Sequence, residues 1–453
     1  MSPVTPHPST AIAHRILDHY LAEWSEVVAR DLRSARPAEE GEEPAAVRAV
    51  YVDGFCHSGG RHLLVGPGRV AGETGSALRG VQALDRLAAR APGTRVPLHT
   101  ATVLVEEDPA ALERLLGDLE RIGVAERVRR TGDLAALAPG EIAVVHAEFR
   151  EVADWVADLV AEATHALCFL APPAAGKLPL PVVRSLAAAE GADLLLSFPH
   201  ADLQKQARYR GSTLADLPTH ARQTVDGYSA MLGDARYEWL QQWRQAEREG
   251  GVREAERRVV ERYVARLEQV GEVVKPVTLH LSDEPADTLH LVLMTADPAR
   301  ALALNRALRD TGVEEKAERD DSFRLKAEEA EPKEAEVLEL FAPEATAAPP
   351  SASGVADVDA DRLARTLAER FRGRTVPYRD VLLGLIATDL TPEEVRRAMA
   401  ALKRTGEAVY RSLADPEAEV AFPRDPVAPT RKKRAPRARE GEITLLSGLE
   451  GAE

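Results

Sequence analysis

An alternation of short apolar runs with amphipathic segments constrains the fold of this chain more than any other feature. Five runs rich in apolar residues occur at 47–52, 102–105, 142–145, 166–170 and 193–198. The segments between them carry apolar residues at helical spacing. Strands that alternate with helices in this way are typical of a parallel, doubly wound α/β sheet. We therefore predict a Rossmann-like core.

Two further strands are expected at 277–281 and 289–295, followed by a helix at 298–309. Because these two strands are adjacent in the chain, we expect them to close a seven-stranded sheet as an antiparallel edge hairpin. The sequence before them lacks strand character, and a helical insertion is predicted at about 200–275. An amphipathic helix is expected at 10–32, ahead of the first strand.

An Ala/Pro/Ser-rich linker at 342–358 separates two predicted domains, of which the first is the α/β domain at 1–341. The second, at 359–423, is predicted to be a winged helix-turn-helix. Its helices are expected at 361–371, 378–386 and 392–404, and its strands at 408–412 and 419–422. Thr391 and Pro392 have the residue types of a helix start, and Gly406 has that of a helix end. Residues 424–453 are expected to be a disordered basic tail.

The charge balance excludes some classes of protein. The 453 residues carry a net charge of −15, which argues against a protein coated in nucleic acid but does not exclude local basic surfaces. No apolar run is long enough to cross a membrane, and no signal-type segment begins the chain. A cytoplasmic location without membrane association is therefore expected.

Few residues suggest redox or metal chemistry. The two cysteines, Cys56 and Cys168, cannot form a disulfide framework, and we interpret them as buried free thiols. Four histidines are the first candidates for metal ligands: His57, His62, His146 and His200. No HxH or HxxxH spacing occurs among them, so no metal site is predicted.

The first predicted strand runs into a glycine-rich loop, VYVDGFCHSGGRHLLVGPGRVAGETGSAL at 50–78. Glycine lets the backbone approach a ligand closely, and the helix that follows favours polar or anionic ligand groups at its N-terminus. The spacing is not GxGxxG, and an ordinary loop is the alternative interpretation. The predicted contacts to a nucleotide-type ligand are Asp53, Gly54, Phe55 and Gly59.

Acidic residues also follow the next two predicted strands. Glu106 ends the second strand, where one carboxylate can accept hydrogen bonds from both hydroxyls of a ribose. Glu148 ends the third, within reach of an adenine. The alternative is that each acid only caps the helix that follows it. Because ligands of doubly wound sheets bind at the carboxyl ends of strands, we predict that these acids share one site with Asp53.

The third helix of the predicted winged helix would be its recognition helix. Four basic residues on it are predicted contacts to nucleic-acid phosphates: Arg396, Arg397, Lys403 and Arg404. Glu393 and Glu394, at the start of the helix, would repel DNA, so docking of a protein is the alternative. The basic stretch RKKRAPRAR at 431–439 can bind phosphates without sequence preference.

Several short blocks resemble, in their order along the chain, the three-Cys-motif partner proteins, a bacterial family with a methyltransferase-like fold. They are YVDGF and GETGSAL in the glycine-rich loop, VLVEED at 103–108, FLAPP at 169–173, LLLSF at 194–198, TLHLVLMTADPARAL at 288–302 and VLELF at 337–341. The N-terminal helix and a C-terminal winged helix also fit the family, and the resemblance covers about 10–423.

The resemblance implies a class I methyltransferase-type sheet and S-adenosylmethionine as the cofactor. It also implies a partner protein that carries a three-cysteine motif and is itself similar to radical-SAM enzymes. The chain differs from the family at Cys56-His57-Ser58-Gly59, where the family has a small-residue AGxG, and at Ala171, where the family has an acid.

The motif after the fourth strand bears on catalysis. Amino-group methyltransferases use an acid or amide, two prolines and an aromatic residue there. Here the motif is Ala171-Pro172-Pro173-Ala174, which leaves Pro172 and Pro173 as the catalytic candidates. Two hypotheses follow. The protein is a methyltransferase-like protein that binds S-adenosylmethionine and acts on or with nucleic acid, or it is an inactive scaffold that binds nucleic acid or its partner protein.

Overall fold

A computed structural model describes most of the chain. The described residues are 8–35, 46–56, 75–91, 96–131, 137–206, 213–281, 288–329 and 360–427, together with Thr94 and Tyr209. For Pro8, Gln206, 315–329 and Ala360 the backbone alone is described. Gly59, the predicted linker at 342–358 and the basic stretch at 431–439 lie outside the described residues.

Eight described strands form one sheet. They are β1 (Val47–Asp53), β2 (Leu98–Glu106), β3 (Val128–Arg130), β4 (Ile142–His146), β5 (His165–Leu170), β6 (Ala192–Ser197), β7 (Val273–His280) and β8 (Thr288–Thr295). Their spatial order is β3-β4-β2-β1-β5-β6-β8-β7. The pairings among them are parallel except that β8 runs antiparallel to both of its neighbours. The predicted doubly wound α/β sheet, closed at one edge by an antiparallel hairpin, is confirmed.

Helices pack on both faces of this sheet. They are α1 (Pro8–Ser34), α2 (Ser76–Ala89), α3 (Pro109–Arg121), α4 (Phe149–Ala161), α5 (Leu180–Ala187), α6 (Ala201–Gln206), α7 (Thr219–Leu232), α8 (Glu238–Leu267) and α9 (Pro298–Glu329). The predicted helical insertion corresponds to α6, α7 and α8, between β6 and β7. None of the helices described combines the length and the apolar composition that a membrane span requires.

The core consists of two apolar clusters, one on each face of the sheet, because side chains alternate along a strand. On β1, Val50 and Val52 belong to the cluster that includes apolar residues of α4, α5, α7 and α8. Ala49 and Tyr51 belong to the cluster of α1, α2, α3 and α9. Asp53, the last residue of β1, is buried at the carboxyl end of this central strand.

The largest differences from the predicted elements are two boundaries and one missed strand. The strand β7 begins at Val273 and not at 277, and Pro276 lies within it. Proline is tolerated there because β7 is an edge strand, paired only with β8. The helix α9 continues past Arg309 to Glu329, through residues of high helix propensity. The short edge strand β3 was not predicted, since three residues give no periodic signal.

The C-terminal part contains α10 (Ala360–Phe371), β9 (Arg374–Pro377), α11 (Tyr378–Leu383), α12 (Pro392–Thr405) and β10 (Glu419–Phe422). The prediction of a strand at 408–412 was wrong, because only Val409 forms a bridge, to Ala421. The partner of β10 is β9, an antiparallel strand that was not predicted. The predicted cap of α12 is confirmed: Thr391 Oγ1 accepts the Glu394 N–H at 3.4 Å, and the Thr391 N–H donates to Glu394 Oε2 at 2.7 Å.

The chain divides into two compact units, 1–358 with 379–395, and 359–378 with 396–453. Side chains of β7 and α9 explain why 379–395 belongs to the first unit. Lys275 Nζ donates to the Ile386 and Thr388 carbonyls at 2.7 and 3.1 Å, and Asn305 Nδ2 donates to the Leu390 carbonyl at 2.6 Å. The predicted domain boundaries stay a prediction.

A close approach between α2 and β1 gives a test of this packing. A Cβ on Gly80 would lie 2.0 Å from the Tyr51 ring, whose hydroxyl donates to the Ser76 carbonyl. We therefore expect Gly80→Ala to lower the free energy of unfolding by about 3 kcal/mol in urea titrations. The matched control is Gly117→Ala in α3, where a Cβ meets no atom within 4 Å and stabilisation of up to about 1 kcal/mol is expected. Equal stabilisation by both variants would contradict the packing.

Candidate functional site

The candidate site lies at the carboxyl ends of β1 and β2. These strands pair in parallel, so their last residues, Asp53 and Glu106, emerge at the same edge of the sheet. The Cys56 N–H donates to the Val105 carbonyl at 3.1 Å, which holds the start of the glycine-rich loop against β2. The structure thus brings together two of the acids that the sequence placed in one site.

The Asp53 carboxylate is fully buried. Its Oδ1 accepts the Phe55 N–H at 3.1 Å, while no donor among the described residues reaches Oδ2. Burial raises the pKa of Asp53 to about 6, although the Ser76 hydroxyl and the Phe55 N–H act in the opposite direction. A buried carboxylate oxygen without a donor is uncommon in folded proteins and needs an explanation.

Glu106 repeats this arrangement one strand away. Its side chain is buried, and its Oε1 accepts the Asp108 N–H at 2.8 Å. Its Oε2 is also buried and has no donor in the part of the chain described. Each of the two acids therefore keeps one acceptor oxygen available. The pair suits a ligand that supplies hydroxyl or ammonium donors.

Gly54 and Phe55 form the floor beside these carboxylates. A Cβ on Gly54 would lie 2.6 Å from Leu170 and 3.0 Å from the Phe149 ring, so only glycine fits this position. The rings of Phe55 and Phe149 pack with centroids 5.4 Å apart. Both predicted residues therefore lie in the site, whereas Gly59 falls outside the described residues.

Glu148 does not present a free carboxylate to the site. It is the N-cap of α4 and forms a capping box with Glu151. Its Oε1 and Oε2 pair with Lys177 Nζ at 3.2 Å and Arg150 Nε at 2.7 Å. The Lys177 ammonium holds the pKa of Glu148 below its usual range. The alternative interpretation, an acid that caps the next helix, describes the position of Glu148 better than the predicted adenine contact.

Lys177 is a site residue that the sequence did not reveal. It lies in a short 3₁₀ turn after β5, and its Nζ also contacts Glu107 Oε2 at 2.6 Å. It lines both a crevice of about 10 Å³ and a neighbouring open cavity of about 590 Å³. The crevice is lined by Gly54, Phe55, Val105, Glu106, Glu107, Ala147, Phe149 and Lys177.

The two catalytic candidates do not face this site. Pro172 is buried and Pro173 is exposed, and neither lines the crevice or the neighbouring cavity. Ala174, the last residue of the motif, does line the larger cavity but offers no polar group. The assignment of the two prolines as catalytic residues stays a prediction.

The two cysteines are buried and free, as predicted. Cys168 lies on β5 opposite Val52 of β1, so both thiols are near the same pair of strands. Burial raises the pKa of both thiols above their usual range, which keeps them protonated and unreactive.

The basic residues of α12 are exposed, as a nucleic-acid contact requires; they are Arg396, Arg397, Lys403 and Arg404. Lys403 Nζ lies 4.1 Å from the centroid of the Tyr410 ring. We expected Glu393 and Glu394 to repel DNA, but both carboxylates contact arginines of α9. Glu394 pairs with Arg309 at 2.7 Å, which offsets its charge. Glu393 lies 3.4 Å from Arg306, but this arginine also contacts Glu23 and Asp310.

Comparisons with known proteins add little to this geometry. No protein-family model and no curated protein matches the chain. Among solved structures, a possible exported protein from Bordetella parapertussis matches with 13% identity and a TM-score of 0.22, over 60% of this chain and 66% of that one. A SAM-dependent methyltransferase from Geobacter sulfurreducens, in complex with S-adenosyl-L-homocysteine, matches with 12% identity and a TM-score of 0.20, over 60% and 89%.

YjhP from E. coli matches with 14% identity and a TM-score of 0.19, over 60% of this chain and 90% of that one. These values are too low for any of the three likenesses to carry an argument about this chain. Its fold is established by its own strand order, and its function has to be inferred from its own site.

Proposed function

We propose that this protein is methyltransferase-like and binds S-adenosylmethionine at the carboxyl ends of β1 and β2. The observation that carries the proposal is a pair of buried oxygens, Asp53 Oδ2 and Glu106 Oε2, that no donor among the described residues reaches. A ribose diol and an amino-acid ammonium are the donors that S-adenosylmethionine offers. Either would donate to a carboxylate oxygen that has no donor among the described residues.

The residues present fit such a ligand in two respects. Glu106, at the end of β2, would accept the ribose hydroxyls, and Asp53, with the backbone of Gly54, would lie against the remainder of the ligand. The cofactor would supply an activated methyl group. The protein would supply binding and orientation.

The size of the crevice requires that binding is coupled to movement. A crevice of about 10 Å³ is far below the several hundred Å³ that ligand sites usually enclose. Lys177 lines both this crevice and the neighbouring cavity of about 590 Å³, so displacement of its side chain would join the two. We infer that the Lys177 pairs with Glu107 and Glu148 open when the ligand binds.

We further propose that the protein acts on or with nucleic acid. The order α10, β9, α11, α12, β10 is that expected of a winged helix-turn-helix, and α12 exposes its four basic residues. A three-cysteine-motif partner protein, which the sequence resemblance implies, is the proposed protein partner. The cytoplasm is the proposed location.

The inactive scaffold remains the second candidate because of specific residues. Ala171 and Ala174 offer neither the hydrogen bonds nor the aromatic surface that amino-group methyl transfer uses. The closed crevice points in the same direction. On this hypothesis, the buried carboxylates of Asp53 and Glu106 are remnants of a cofactor site, and the exposed basic surface of α12 carries the function.

Calorimetric titration with S-adenosylmethionine and S-adenosylhomocysteine tests the cofactor. The proposal expects saturable heat at one site and a rise in melting temperature that grows with ligand concentration. Absence of both at millimolar ligand would refute cofactor binding. Transfer of tritiated methyl groups onto DNA, RNA or the partner then separates the hypotheses, because reproducible labelling excludes an inactive scaffold.

Nucleic-acid binding has its own test. Replacing all four basic residues of α12 with glutamine is expected to weaken binding of duplex DNA or RNA at least about tenfold and to make it less dependent on salt. Fluorescence anisotropy at several salt concentrations measures both effects. The basic stretch at 431–439 is the same in both proteins, so a difference in binding between them reports on α12. Unchanged affinity and salt dependence would assign the contacts elsewhere.

A further inference from the structure

The structure brings together three buried residues that are distant in the sequence. His200 follows β6, Glu256 lies on α8 and His290 lies on β8. Their exposed fractions are 8%, 4% and 4%, so all three are almost fully withdrawn from water. One nitrogen of each histidine and one carboxylate oxygen of Glu256 lie within 4.8 Å of one another.

The contacts among the three residues are polar and close. His290 Nε2 lies 2.7 Å from Glu256 Oε1, and the His200 and His290 rings meet edge to face with centroids 5.5 Å apart. The Phe198 N–H donates to the His290 carbonyl at 3.0 Å, which fixes β8 beside the end of β6. The cluster is therefore held by the sheet itself.

Neighbouring polar groups orient these side chains. The Thr278 hydroxyl lies 2.9 Å from His290 Nδ1, which leaves Nε2 directed at the cluster. Gln204 Nε2 donates to Glu256 Oε2 at 3.1 Å, which leaves Oε1 directed at the cluster. Histidines and carboxylates that bind metals are typically held by such hydrogen bonds from a second layer of residues.

An open cavity of about 650 Å³ reaches the cluster. Glu256 and His290 both line it, and Thr278, His280 and Thr288 lie along the same wall. A cavity of this volume is within the range of small-molecule sites. The cluster thus has access from solvent although its own side chains are buried.

We propose that His200, Glu256 and His290 bind a divalent transition-metal ion of the zinc type. Two imidazole nitrogens and one carboxylate oxygen form a ligand set that such ions accept, and three protein ligands leave a coordination position for water or a substrate. Binding replaces the His290–Glu256 hydrogen bond and releases the proton that it holds. The site lies at the end of β6, on the same edge of the sheet as Asp53 and Glu106, and does not depend on the proposed cofactor.

The proposal is tested by titrating the whole chain with Zn²⁺ and with Co²⁺. The protein is first treated with a chelator and dialysed to remove bound metal. Calorimetry with Zn²⁺ is expected to show one tight site, and Co²⁺ is expected to give visible absorption bands typical of nitrogen and oxygen ligands. Glu256→Gln, His200→Gln and His290→Gln are each expected to weaken binding by at least about 100-fold. His280→Gln, on the exposed wall of the same cavity, is the matched control and should bind like the wild type.

A further variant guards against loss of folding. Thr278→Val changes only the residue that orients His290, on an edge strand, and is expected to weaken Zn²⁺ binding by about 10- to 100-fold, while Thr278→Ser restores it. Circular dichroism without metal checks each fold. No saturable binding by the wild type would overturn the proposal. So would binding that Glu256→Gln and Thr278→Val leave unchanged, because the metal would then be at other ligands.

Discussion

Glu106→Gln is expected to weaken S-adenosylhomocysteine binding by about 1.5–3 kcal/mol, or about 10- to 150-fold. The buried Oε2 of Glu106 has no donor within the described chain, so it can accept from a ribose diol with the strength of a charged hydrogen bond. An amide keeps the size of the side chain but turns one acceptor into a donor, which faces the donors of the ligand. Calorimetry of both proteins at the same ionic strength measures the difference.

The control for this experiment is Glu113→Gln on α3. It makes the same change of charge on an exposed residue, whose carboxylate already pairs with Arg130 at 2.7 Å. The control should bind S-adenosylhomocysteine like the wild type. If Glu106→Gln also binds like the wild type, Glu106 does not contact the ligand and the proposed site is wrong.

Asp53→Asn is expected to stabilise the ligand-free protein at neutral pH. The pKa of Asp53 is raised from 3.8 to about 6, mainly by burial, so the folded protein holds a proton that the unfolded chain has lost between these values. The free energy of unfolding therefore falls as the pH rises from 3.8 to about 6, and the full loss persists at higher pH. This shift in pKa corresponds to a loss of about 3 kcal/mol in the free energy of unfolding. Asparagine does not ionise, so the Asp53→Asn variant avoids this loss.

Urea titrations at pH 3.5 and pH 7 measure this effect. At each pH, the free energy of unfolding of the wild type is subtracted from that of Asp53→Asn, and the two differences are compared. The gap in unfolding free energy between Asp53→Asn and the wild type should grow by about 3 kcal/mol between the two pH values. Asp158→Asn, at an exposed position of α4, should show no such growth. A constant gap for Asp53→Asn would mean that the carboxylate is stabilised in the folded state by donors that the described residues do not supply.

These two results together would separate function from stability. A residue kept for folding should destabilise the protein when it is changed. Asp53 is expected to do the opposite at neutral pH, because its charge is buried without full compensation. Buried groups that cost stability are typical of binding sites, where a ligand supplies the missing partner.

Sequence patterns predicted the fold well because the relevant signals are long and periodic. The runs that became β4 and β5 are continuous and apolar, as strands buried on both faces require, and those of β1 and β6 are interrupted only by Arg48, Asp193 and Ser197. The predictions failed where a residue interrupted the pattern or where strand pairing depends on residues far apart in the sequence. Pro276 hid the start of β7, and the pairing of β10 with β9 depends on contacts that are distant in the sequence.

The candidate site was predicted only in part. Asp53 and Glu106 follow from the rule that ligands bind at the carboxyl ends of strands, and the structure brings them together. Glu148 obeyed the same rule but became a helix cap paired with Lys177, because a flexible lysine in the turn after β5 reaches it. No periodicity or spacing reports such a contact, since it depends on the path of the backbone.

The His200–Glu256–His290 cluster shows the same limit. Spacing rules test for ligands that are neighbours in the sequence, and His200 failed them. Its partners lie 56 and 90 residues further along the chain and reach it only through the packing of α8 and the antiparallel strand β8. Sites of this kind become visible when the fold is known.

The most direct test of the central claim is a crystal structure grown with saturating S-adenosylhomocysteine. The proposed function expects the ligand at the carboxyl ends of β1 and β2, with donors on Asp53 Oδ2 and Glu106 Oε2 and with the Lys177 side chain displaced. Ligand bound elsewhere, or both carboxylate oxygens still without donors at saturating concentration, would contradict it.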